Sequence, residues 1–534
     1  MGFGMSEAKR SSLVQALAQA GWAGMLAANI LLSDPGAARA AAEPPAAEAA
    51  AAPGRKEDSP HPTRARPAEA APEPLPAAVT TSHAIELPSR SLHFKAVAGA
   101  LRLSDAQSAA ALADIATVAF FLEDADPGRR PVTFAINGGP GAASAWLNLG
   151  GLGPWRLPLD RANLPPSASP VTIANADTWL DFTDLVFVDP PGTGYSRILT
   201  TDDGARRHLF SVNGDIEALA VAIRKWLTAN KRLESPKFIA GESYGGFRAP
   251  RLARRLEESE GIGIAGLVLI SPVLDFGWLS EGVSNPLVCA ARLPSQAAAA
   301  RGLTGSDARA SLADVETYAA GAYITDLLRG ERDAQALARI AENVAHFTGL
   351  DLAVVRKLGG RIDPATFARE KNRASAKVTS LYDALVTGYD PAPHAAVSDY
   401  SDPVLDAVKV PLASAMADIS GSRLGWFVDA RYEILNETVN RSWDWGSRRD
   451  RLESLSDLKR LMALDPSLRV LVAHGGTDQA TPYFASKILI DQIAPMGPED
   501  RLRLKVYGGG HMVYFNDKSR AELREDARRL IEGR

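Results

Sequence analysis

From Thr80 to the end of the chain, short runs of consecutive apolar residues alternate with longer stretches of helical periodicity. The apolar runs predict buried strands at 116–122, 132–136, 185–189, 238–241, 267–270, 470–473 and 502–507, so the first clear strand begins at residue 116. Between two runs, apolar residues recur at i, i+3, i+4, i+7, i+10 and i+11 from Ile216 to Leu227, which predicts a helix with one buried face. Apolar strands alternating with helices are typical of a mainly parallel sheet covered by helices, so we expect the α/β class.

The region between residues 271 and 469 interrupts this alternation. It is rich in Ala, Leu and Arg, and it has helical periodicity at 310–328 and 333–347 but no convincing series of strands. We therefore expect one large domain at 81–534. A mostly helical insertion at about 276–465 should lie as a cap over the edge of the sheet.

The first 80 residues have a different composition. No Phe, Trp or Tyr occurs between Trp22 and Phe94, and residues 37–78 are mostly Ala, Pro and Glu. Such a stretch buries too little apolar surface to offset its conformational entropy, so we expect a disordered linker at 41–80.

A basic, then apolar, then small-residue pattern precedes that linker. Lys9-Arg10 is followed by an uncharged stretch at 11–33 and by Ala38-Arg39-Ala40, which is the pattern of a secretory signal peptide. The uncharged stretch also has the length of a weak membrane anchor, and an amphipathic or disordered terminus is the alternative. We expect residues 1–40 to be a signal peptide or anchor of an exported protein, periplasmic or secreted, with a cytoplasmic location as the alternative. No other stable membrane insertion is expected.

Composition excludes several classes of function. The 534 residues carry 59 Lys and Arg against 63 Asp and Glu, a net charge of −4 that gives no electrostatic case for nucleic acid. The single cysteine, Cys289, excludes an intramolecular disulfide and a cysteine-built zinc site. The sequence contains neither a Walker-type phosphate loop nor a His-Glu-x-x-His motif, so we expect no cofactor and no metal. The composition is silent on oligomeric state.

A candidate nucleophile lies at Ser243. Gly241-Glu242-Ser243-Tyr244-Gly245 follows the strand predicted at 238–241 and precedes a helical run at 251–257. Gly-x-Ser-x-Gly between a strand and a helix is typical of a nucleophile elbow, a sharp turn that needs small residues on both sides of an exposed serine. We predict that Ser243 is a nucleophile.

An elbow serine needs an acid and a base that follow it in the chain order Ser, Asp, His. Asp478 follows the strand at 470–473 and His511 follows the strand at 502–507, so both residues should lie at the sheet edge that carries Ser243. His474 is the competing histidine, but it precedes Asp478 and would break the order. We predict Asp478 and His511 as the partners, with His474 as a loop or supporting residue.

A glycine-rich loop completes the constellation. Ile136-Asn137-Gly138-Gly139-Pro140-Gly141 follows a predicted strand, and its bare backbone can turn N–H groups toward a developing negative charge. We expect one oxyanion donor from this loop and the other from Tyr244, the residue after the nucleophile.

Five motifs in order resemble the serine carboxypeptidase family of α/β-hydrolases, from about His83 to the end of the chain. They are Asn137-Gly138-Gly139-Pro140-Gly141, Val188-Asp189-Pro190-Pro191-Gly192-Thr193-Gly194-Tyr195-Ser196, Gly241-Glu242-Ser243-Tyr244-Gly245-Gly246, Asp478 and Gly510-His511-Met512. Thr481-Pro482-Tyr483-Phe484 looks most like the bacterial branch.

The resemblance implies an α/β-hydrolase fold and a role for each matched residue. Ser243 would be the nucleophile, His511 the base and acid, and Asp478 its orienter. Gly139 and Tyr244 would supply the oxyanion N–H groups. The C-terminal carboxylate of the substrate would be bound by three residues, Asn137, Gly138 and Glu242. A protonated carboxyl there would explain the family's preference for acid pH, because an ionised one repels the substrate.

Three features depart from the family's pattern. Ala135 stands where an aromatic residue is usual, Gly151 stands where eukaryotic members carry a second carboxyl paired with Glu242, and one cysteine cannot form those members' disulfides. We expect a serine-type exopeptidase that acts on peptides, a carboxypeptidase forming an acyl-enzyme on Ser243. An esterase or acyltransferase of the same fold is the first alternative, and a non-catalytic binding protein is the second.

Overall fold

The computed structural model describes residues 73–159, 165–167, 169–280, 282–305, 309–395, 401–447 and 451–533. The predicted signal peptide or anchor at 1–40 and the predicted linker up to residue 72 lie outside the described residues. The described chain is tied to the body from its beginning, because the backbone N–H of Leu75 donates to Oδ2 of Asp114 at 3.0 Å. The first strand begins at Val79, two residues before the expected domain boundary.

Fourteen strands occur among the described residues. They are β1 (Val79–Leu87), β2 (Arg90–Ser104), β3 (Ala111–Leu122), β4 (Val132–Ile136), β5 (Trp155–Arg156), β6 (Ile173–Ala174), β7 (Asp184–Val188), β8 (Arg197–Ile198), β9 (Lys237–Glu242), β10 (Gly266–Ile270), β11 (Lys377–Thr379), β12 (Thr387–Tyr389), β13 (Arg469–Gly475) and β14 (Leu502–Tyr507). Ten of them form one sheet in the order β1-β2-β3-β7-β4-β9-β10-β13-β14, with β8 beside β3. The six strands from β7 to β14 in that order are parallel, and β1, β2 and β3 are antiparallel to their neighbours.

The expectation that the first strand begins at residue 116 is wrong. His83 lies in β1 and His93 in β2, and β3 begins at Ala111. Exposed and more buried positions alternate along β1 and the first half of β2, as in a half-solvated antiparallel hairpin. Continuous apolar runs indicate only strands that are buried on both faces. This pattern therefore does not predict β1 and β2.

The described residues contain sixteen α-helices. They are α1 (Ala145–Leu147), α2 (Asp203–Leu209), α3 (Val212–Ala229), α4 (Tyr244–Arg255), α5 (Gly277–Ser280), α6 (Pro286–Ala300), α7 (Ala313–Tyr318), α8 (Ile324–Arg329), α9 (Ala334–Thr348), α10 (Leu352–Lys357), α11 (Pro364–Glu370), α12 (Pro403–Asp418), α13 (Glu437–Arg441), α14 (Leu455–Leu464), α15 (Tyr483–Asp491) and α16 (Asp517–Glu532). Short 3-10 or π turns lie at Asn148–Leu152, Trp179–Asp181, Leu256–Glu260, Ala310–Leu312, Ala319–Tyr323, Arg373–Ser375, Ile419–Arg423, Glu499–Arg501 and Val513–Phe515. None of the helices in the described ranges is both long and apolar enough to cross a membrane.

The region between β10 and β13 is mostly helical, but it is more than a cap over the sheet edge. Side chains of α12, such as Leu412, join the core that also contains Ala135 of β4 and Leu530 of α16. Leu458 of α14 joins a different core, which contains Leu219 of α3. Helical periodicity indicates that one face of a helix is buried, but not which element covers that face. The sequence therefore could not distinguish these sheet-covering helices from the other helices of the insertion.

The remaining helices of the insertion have a core of their own. α6, α9 and α11 bury Leu293, Ile340 and Phe367 together, and Tyr483 at the start of α15 joins the same cluster. The architecture is therefore a mainly parallel sheet covered by helices with a large helical insertion, and the predicted fold class is confirmed.

Candidate active site

Ser243 occupies a strained turn between β9 and α4. Its backbone angles are φ 59° and ψ −121°, a conformation that costs an L-residue free energy and persists only where the surroundings impose it. The Ser243 N–H donates to the carbonyl of Ile270 at 2.9 Å, which fixes the turn to β10. A Cβ at Gly241 or Gly245 would collide with backbone atoms, so the tight elbow requires both glycines.

Asp478 and His511 form a buried hydrogen-bonded pair. Nδ1 of His511 donates to Oδ2 of Asp478 at 2.8 Å, and both side chains are almost completely buried. Asp478 also accepts the backbone N–H groups of Ala480 and Thr481 and the Thr481 hydroxyl, the last at 2.6 Å. Because a carboxylate can only accept, the bond assigns the proton to Nδ1 and leaves Nε2 as the acceptor.

The pKa of His511 results from two opposing effects. Burial lowers it, whereas the charge of Asp478 and the hydrogen bond to that carboxylate raise it. The net effect raises the pKa of His511 above its ordinary value, so the imidazolium is stabilised. A base that is stabilised when it is protonated suits proton transfer from a serine hydroxyl.

A segment of the helical insertion holds both loops that carry this pair. The carbonyl of Leu381 accepts the backbone N–H groups of Gln479 and Ala480. The carbonyl of Tyr382 accepts the backbone N–H of His511 at 2.5 Å. The Tyr382 ring also packs edge-on against the imidazole, with 5.2 Å between the centroids. The insertion therefore takes part in orienting the predicted acid and base.

The glycine-rich loop after β4 touches the first turn of α4. A Cβ at Gly138 would lie 2.5 Å from the backbone nitrogen of Tyr244, so the two predicted oxyanion elements are in direct contact. Tyr244 is the first residue of α4, where a backbone N–H has no partner within the helix and lies at the positive end of the helix dipole. Gly139, the other predicted donor, has φ +97° in the same loop.

A buried ion pair fixes that loop. Arg248 on α4 donates through Nε to Oδ2 of Asp215 on α3 at 2.6 Å, and a second guanidinium nitrogen donates to the carbonyl of Asn137. The guanidinium also lies over the Tyr244 ring, 4.9 Å from its centroid. One arginine therefore connects α3 and α4 to both predicted oxyanion elements.

Glu242 and Asn137, two predicted carboxylate-binding residues, are hydrogen-bonded to each other. The Asn137 amide donates to Oε2 of Glu242, and the Tyr514 hydroxyl donates to the same oxygen at 2.9 Å. Burial raises the pKa of Glu242 to about 7; the nearby charge of His511 and the Tyr514 hydrogen bond partly offset this effect. Glu242 is therefore neutral below about pH 7 and can then donate a proton.

His474, the competing histidine, lies behind the site. It is in β13 with its ring fully buried, and Nε2 is 2.9 Å from the Ser486 hydroxyl on α15. Burial lowers the pKa of His474 to about 4, so the ring is neutral. His474 thus lies in a strand rather than a loop, and its supporting role stays a prediction.

The structure brings the predicted residues to one edge of the sheet, at the carboxyl ends of β4, β9, β13 and β14. Sequence reasoning missed several side chains that support them, namely Arg248, Tyr382, Thr481 and Tyr514. Thr481 had a partial local signal, because an aspartate often accepts backbone N–H groups from the residues just after it in an Asx turn, which brings those residues to its carboxylate. Tyr514 had none, because it lies 272 positions from Glu242.

A mainly parallel sheet with a serine elbow after β9, an aspartate after β13 and a histidine after β14 defines an α/β-hydrolase. A family model described as serine carboxypeptidase matches residues 118–503, and the chain therefore belongs to the serine carboxypeptidase family.

Curated relatives carry related names. A segment of 142 residues, 26% of this chain, is 30% identical to 21% of the pheromone-processing carboxypeptidase KEX1 of Yarrowia lipolytica. An alignment over 165 residues, covering 29% of this chain and 36% of the relative, is 28% identical to serine carboxypeptidase-like 5 of Arabidopsis thaliana. The chain thus spans well under half of the length of these relatives. Among solved structures, it is similar to a proline iminopeptidase of Mycobacterium smegmatis, with TM-score 0.36 and 15% identity over 82% of this chain and 98% of that one.

Proposed function

We propose that the chain is a serine carboxypeptidase that releases C-terminal residues from peptides through an acyl-enzyme on Ser243. One observation carries the proposal. The hydrogen-bonded pair Asp478–His511 and the strained Ser243 stand at the same sheet edge, in the chain order that an elbow hydrolase requires.

The proposed reaction has two halves. His511 Nε2 takes the proton of the Ser243 hydroxyl while the oxygen attacks the carbonyl carbon of the last peptide bond. The N–H groups of Gly139 and Tyr244 stabilise the oxyanion that forms. His511 then gives its proton to the leaving amine, which is the released C-terminal residue. Water then attacks the acyl-enzyme while His511 takes its proton. His511 returns that proton to the Ser243 oxygen as the ester bond breaks, which releases the shortened peptide.

Recognition of the chain end is proposed to rest on Asn137, Gly138 and Glu242. Neutral Glu242 can donate a hydrogen bond to the substrate carboxylate, whereas ionised Glu242 repels it. The sign of the pH dependence follows from the raised pKa of Glu242. Binding of a free-acid peptide is favoured below about pH 7 and weakens as the pH rises through that value.

One experiment separates this activity from its alternatives. Purified protein is given a blocked dipeptide with a free C-terminus, the same dipeptide as its amide, and a simple ester with the same acyl group. A carboxypeptidase prefers the free acid over the amide, and Ser243→Ala abolishes both this activity and ester hydrolysis. Equal rates on all three substrates would contradict carboxylate recognition.

Gly151 favours a second candidate function. The absence of a carboxyl at this position removes one element of chain-end recognition, which would suit an esterase or acyltransferase using the same acyl-enzyme. The ester arm of the experiment tests this alternative. Stoichiometric labelling of Ser243 by an organophosphonate excludes a non-catalytic binding protein, and complete absence of labelling supports one.

We also propose that the chain is of the bacterial branch and is exported, with a signal peptide or anchor at 1–40 and a linker up to about residue 80 ahead of the catalytic domain. The sequence Thr481–Phe484 supports the first proposal, and the basic, apolar and small-residue pattern of residues 9–40 supports the second. Fractionation of producing cells with mass measurement of the mature protein tests export. A full-length protein in the cytoplasmic fraction would contradict it.

A further inference from the structure

Tyr514 fills the space beside Gly151. The tyrosine follows His511 by three residues, in a 3-10 turn, and its side chain is completely buried. A Cβ at Gly151 would lie 2.8 Å from the Cβ of Tyr514, and a Cβ at Gly150 would lie 2.5 Å from Cε2 of the tyrosine ring. The ring thus occupies the position into which a side chain at residue 151 would extend.

The hydroxyl of Tyr514 fixes one oxygen of Glu242. Oε2 of Glu242 accepts from both the Tyr514 hydroxyl and the Asn137 amide, whose own oxygen is held by the Leu147 N–H at 3.1 Å. An oxygen that accepts two hydrogen bonds is a poor site for a proton. Neutral Glu242 therefore carries its proton on Oε1, which makes that oxygen the donor.

We propose that Tyr514 is a specificity-determining residue, because it orients neutral Glu242 so that Oε1–H meets the substrate's C-terminal carboxylate. This inference rests on the proposed carboxypeptidase function and deepens it. The phenol does what the family resemblance assigns to a second carboxyl, which is absent at Gly151.

A phenol differs from a carboxyl in its titration. Burial and the adjacent Glu242 hold the pKa of Tyr514 well above its ordinary value, so the phenol stays neutral. The groups that interact electrostatically with Glu242 are His511, Asp478, Tyr382 and Tyr514. His511 and Asp478 serve peptide and ester chemistry alike. The ratio of free-acid to ester kcat/KM therefore reports the effect of the Glu242–Tyr514 pair alone. This ratio should fall as the pH rises and Glu242 releases its proton.

The test compares Tyr514→Phe with the wild-type protein on a free-acid dipeptide and a matched ester. The pH is varied from roughly 4 to roughly 9, a range that brackets the pKa of Glu242. The phenyl ring keeps the packing against Gly150 and Gly151 and removes only the hydroxyl. We expect kcat/KM for the free acid to fall about tenfold, mainly through KM, with ester kcat/KM unchanged. Because the lost hydrogen bond had lowered the pKa of Glu242, the fall of the ratio should move to higher pH.

Tyr507→Phe is the matched control. The Tyr507 side chain is buried to a similar degree, and its hydroxyl donates to Oδ2 of Asp526 on α16 at 2.8 Å rather than to Glu242. This variant should leave the ratio and its pH dependence as in the wild-type protein. If Tyr514→Phe behaves like the control, or lowers peptide and ester turnover equally, the proposal is overturned.

Two further results keep the interpretation unambiguous. Glu242→Gln replaces the carboxyl by an amide that does not ionise, so adding Tyr514→Phe to this variant should not shift the pH profile. A shift of the same size as in the wild-type background would overturn the proposal. If the wild-type protein shows no preference for the free acid over the amide, the proposed function itself fails, which is distinguishable from a preference that Tyr514→Phe leaves intact.

Discussion

Replacement of Arg248 by methionine is expected to damage both stability and activity, through separate contacts. The guanidinium is 1% exposed and pairs with Asp215, which is completely buried. Arg248→Met keeps the volume of the aliphatic stem but leaves the Asp215 carboxylate without its charge partner. Removal of one member of a buried ion pair costs about 3–5 kcal/mol, because the other charge remains buried and uncompensated.

The double variant Arg248→Met/Asp215→Leu separates the two effects. An apolar pair of similar volume avoids the uncompensated charge, so the free energy of unfolding should return to within about 1 kcal/mol of the wild-type value or exceed it. Activity should not return, because the Asn137 carbonyl still lacks its arginine donor and the oxyanion loop is less firmly held. We expect kcat/KM in both variants to be lower on the order of tenfold to a hundredfold.

Urea unfolding followed by tryptophan fluorescence gives the stability arm, and ester hydrolysis gives the activity arm. A pH series adds a further check. Burial raises the pKa of Asp215 while Arg248 lowers it, so loss of the arginine raises that pKa further. The instability of the single variant should therefore be smallest at acid pH, where Asp215 is protonated, and should grow as the pH rises. Equal stability of the single variant and the wild-type protein, or full recovery of activity in the double variant, would refute this reasoning.

Three further predictions concern residues in and behind the site. Asp478→Asn should lower kcat by about four orders of magnitude in a stopped-flow or steady-state ester assay with little change in KM, because an amide can stabilise the wrong His511 tautomer; a loss below tenfold would contradict the assigned role. Glu242→Gln should abolish the fall in free-acid activity near pH 7, and its urea midpoint should lack the decline that the wild-type protein shows as the pH rises from about 4.5 to about 7, since the raised pKa of Glu242 makes folding favour the protonated form. Ser486→Ala removes the hydroxyl that meets His474 and should cost about 1 kcal/mol of stability at unchanged kcat/KM, so a large loss of activity would show that His474 does more than support β13.

The sequence predicts the parts of this molecule that depend on local pattern. Strands buried on both faces, such as β4 and β10, read as continuous apolar runs, and the elbow at Ser243 has a fixed spacing of glycines. β1 and β2 were not predicted because their buried positions alternate with exposed ones. Continuous apolar runs therefore indicate the strands of the parallel part of the sheet, but not the hairpin at its antiparallel edge.

Contacts between distant segments limit how much of the candidate site can be predicted from the sequence. The order of Ser243, Asp478 and His511 follows from the strands that precede them, so chain order alone indicates one sheet edge. Tyr514 contacts Glu242 because the last loop folds over that edge, and Tyr382 contacts His511 because the helical insertion does so. No periodicity or spacing in the sequence indicates these contacts, which become visible only in the three-dimensional structure.

The most direct test of the account is mass spectrometry of a peptide mixture incubated with purified protein, beside the same mixture with Ser243→Ala. The wild-type protein should produce ladders that shorten from the C-terminal end. The ladders should be absent with the variant, and they should form more slowly when the peptides carry C-terminal amides. Peptides that shorten from the N-terminal end, or wild-type digests indistinguishable from those of the variant, would contradict it.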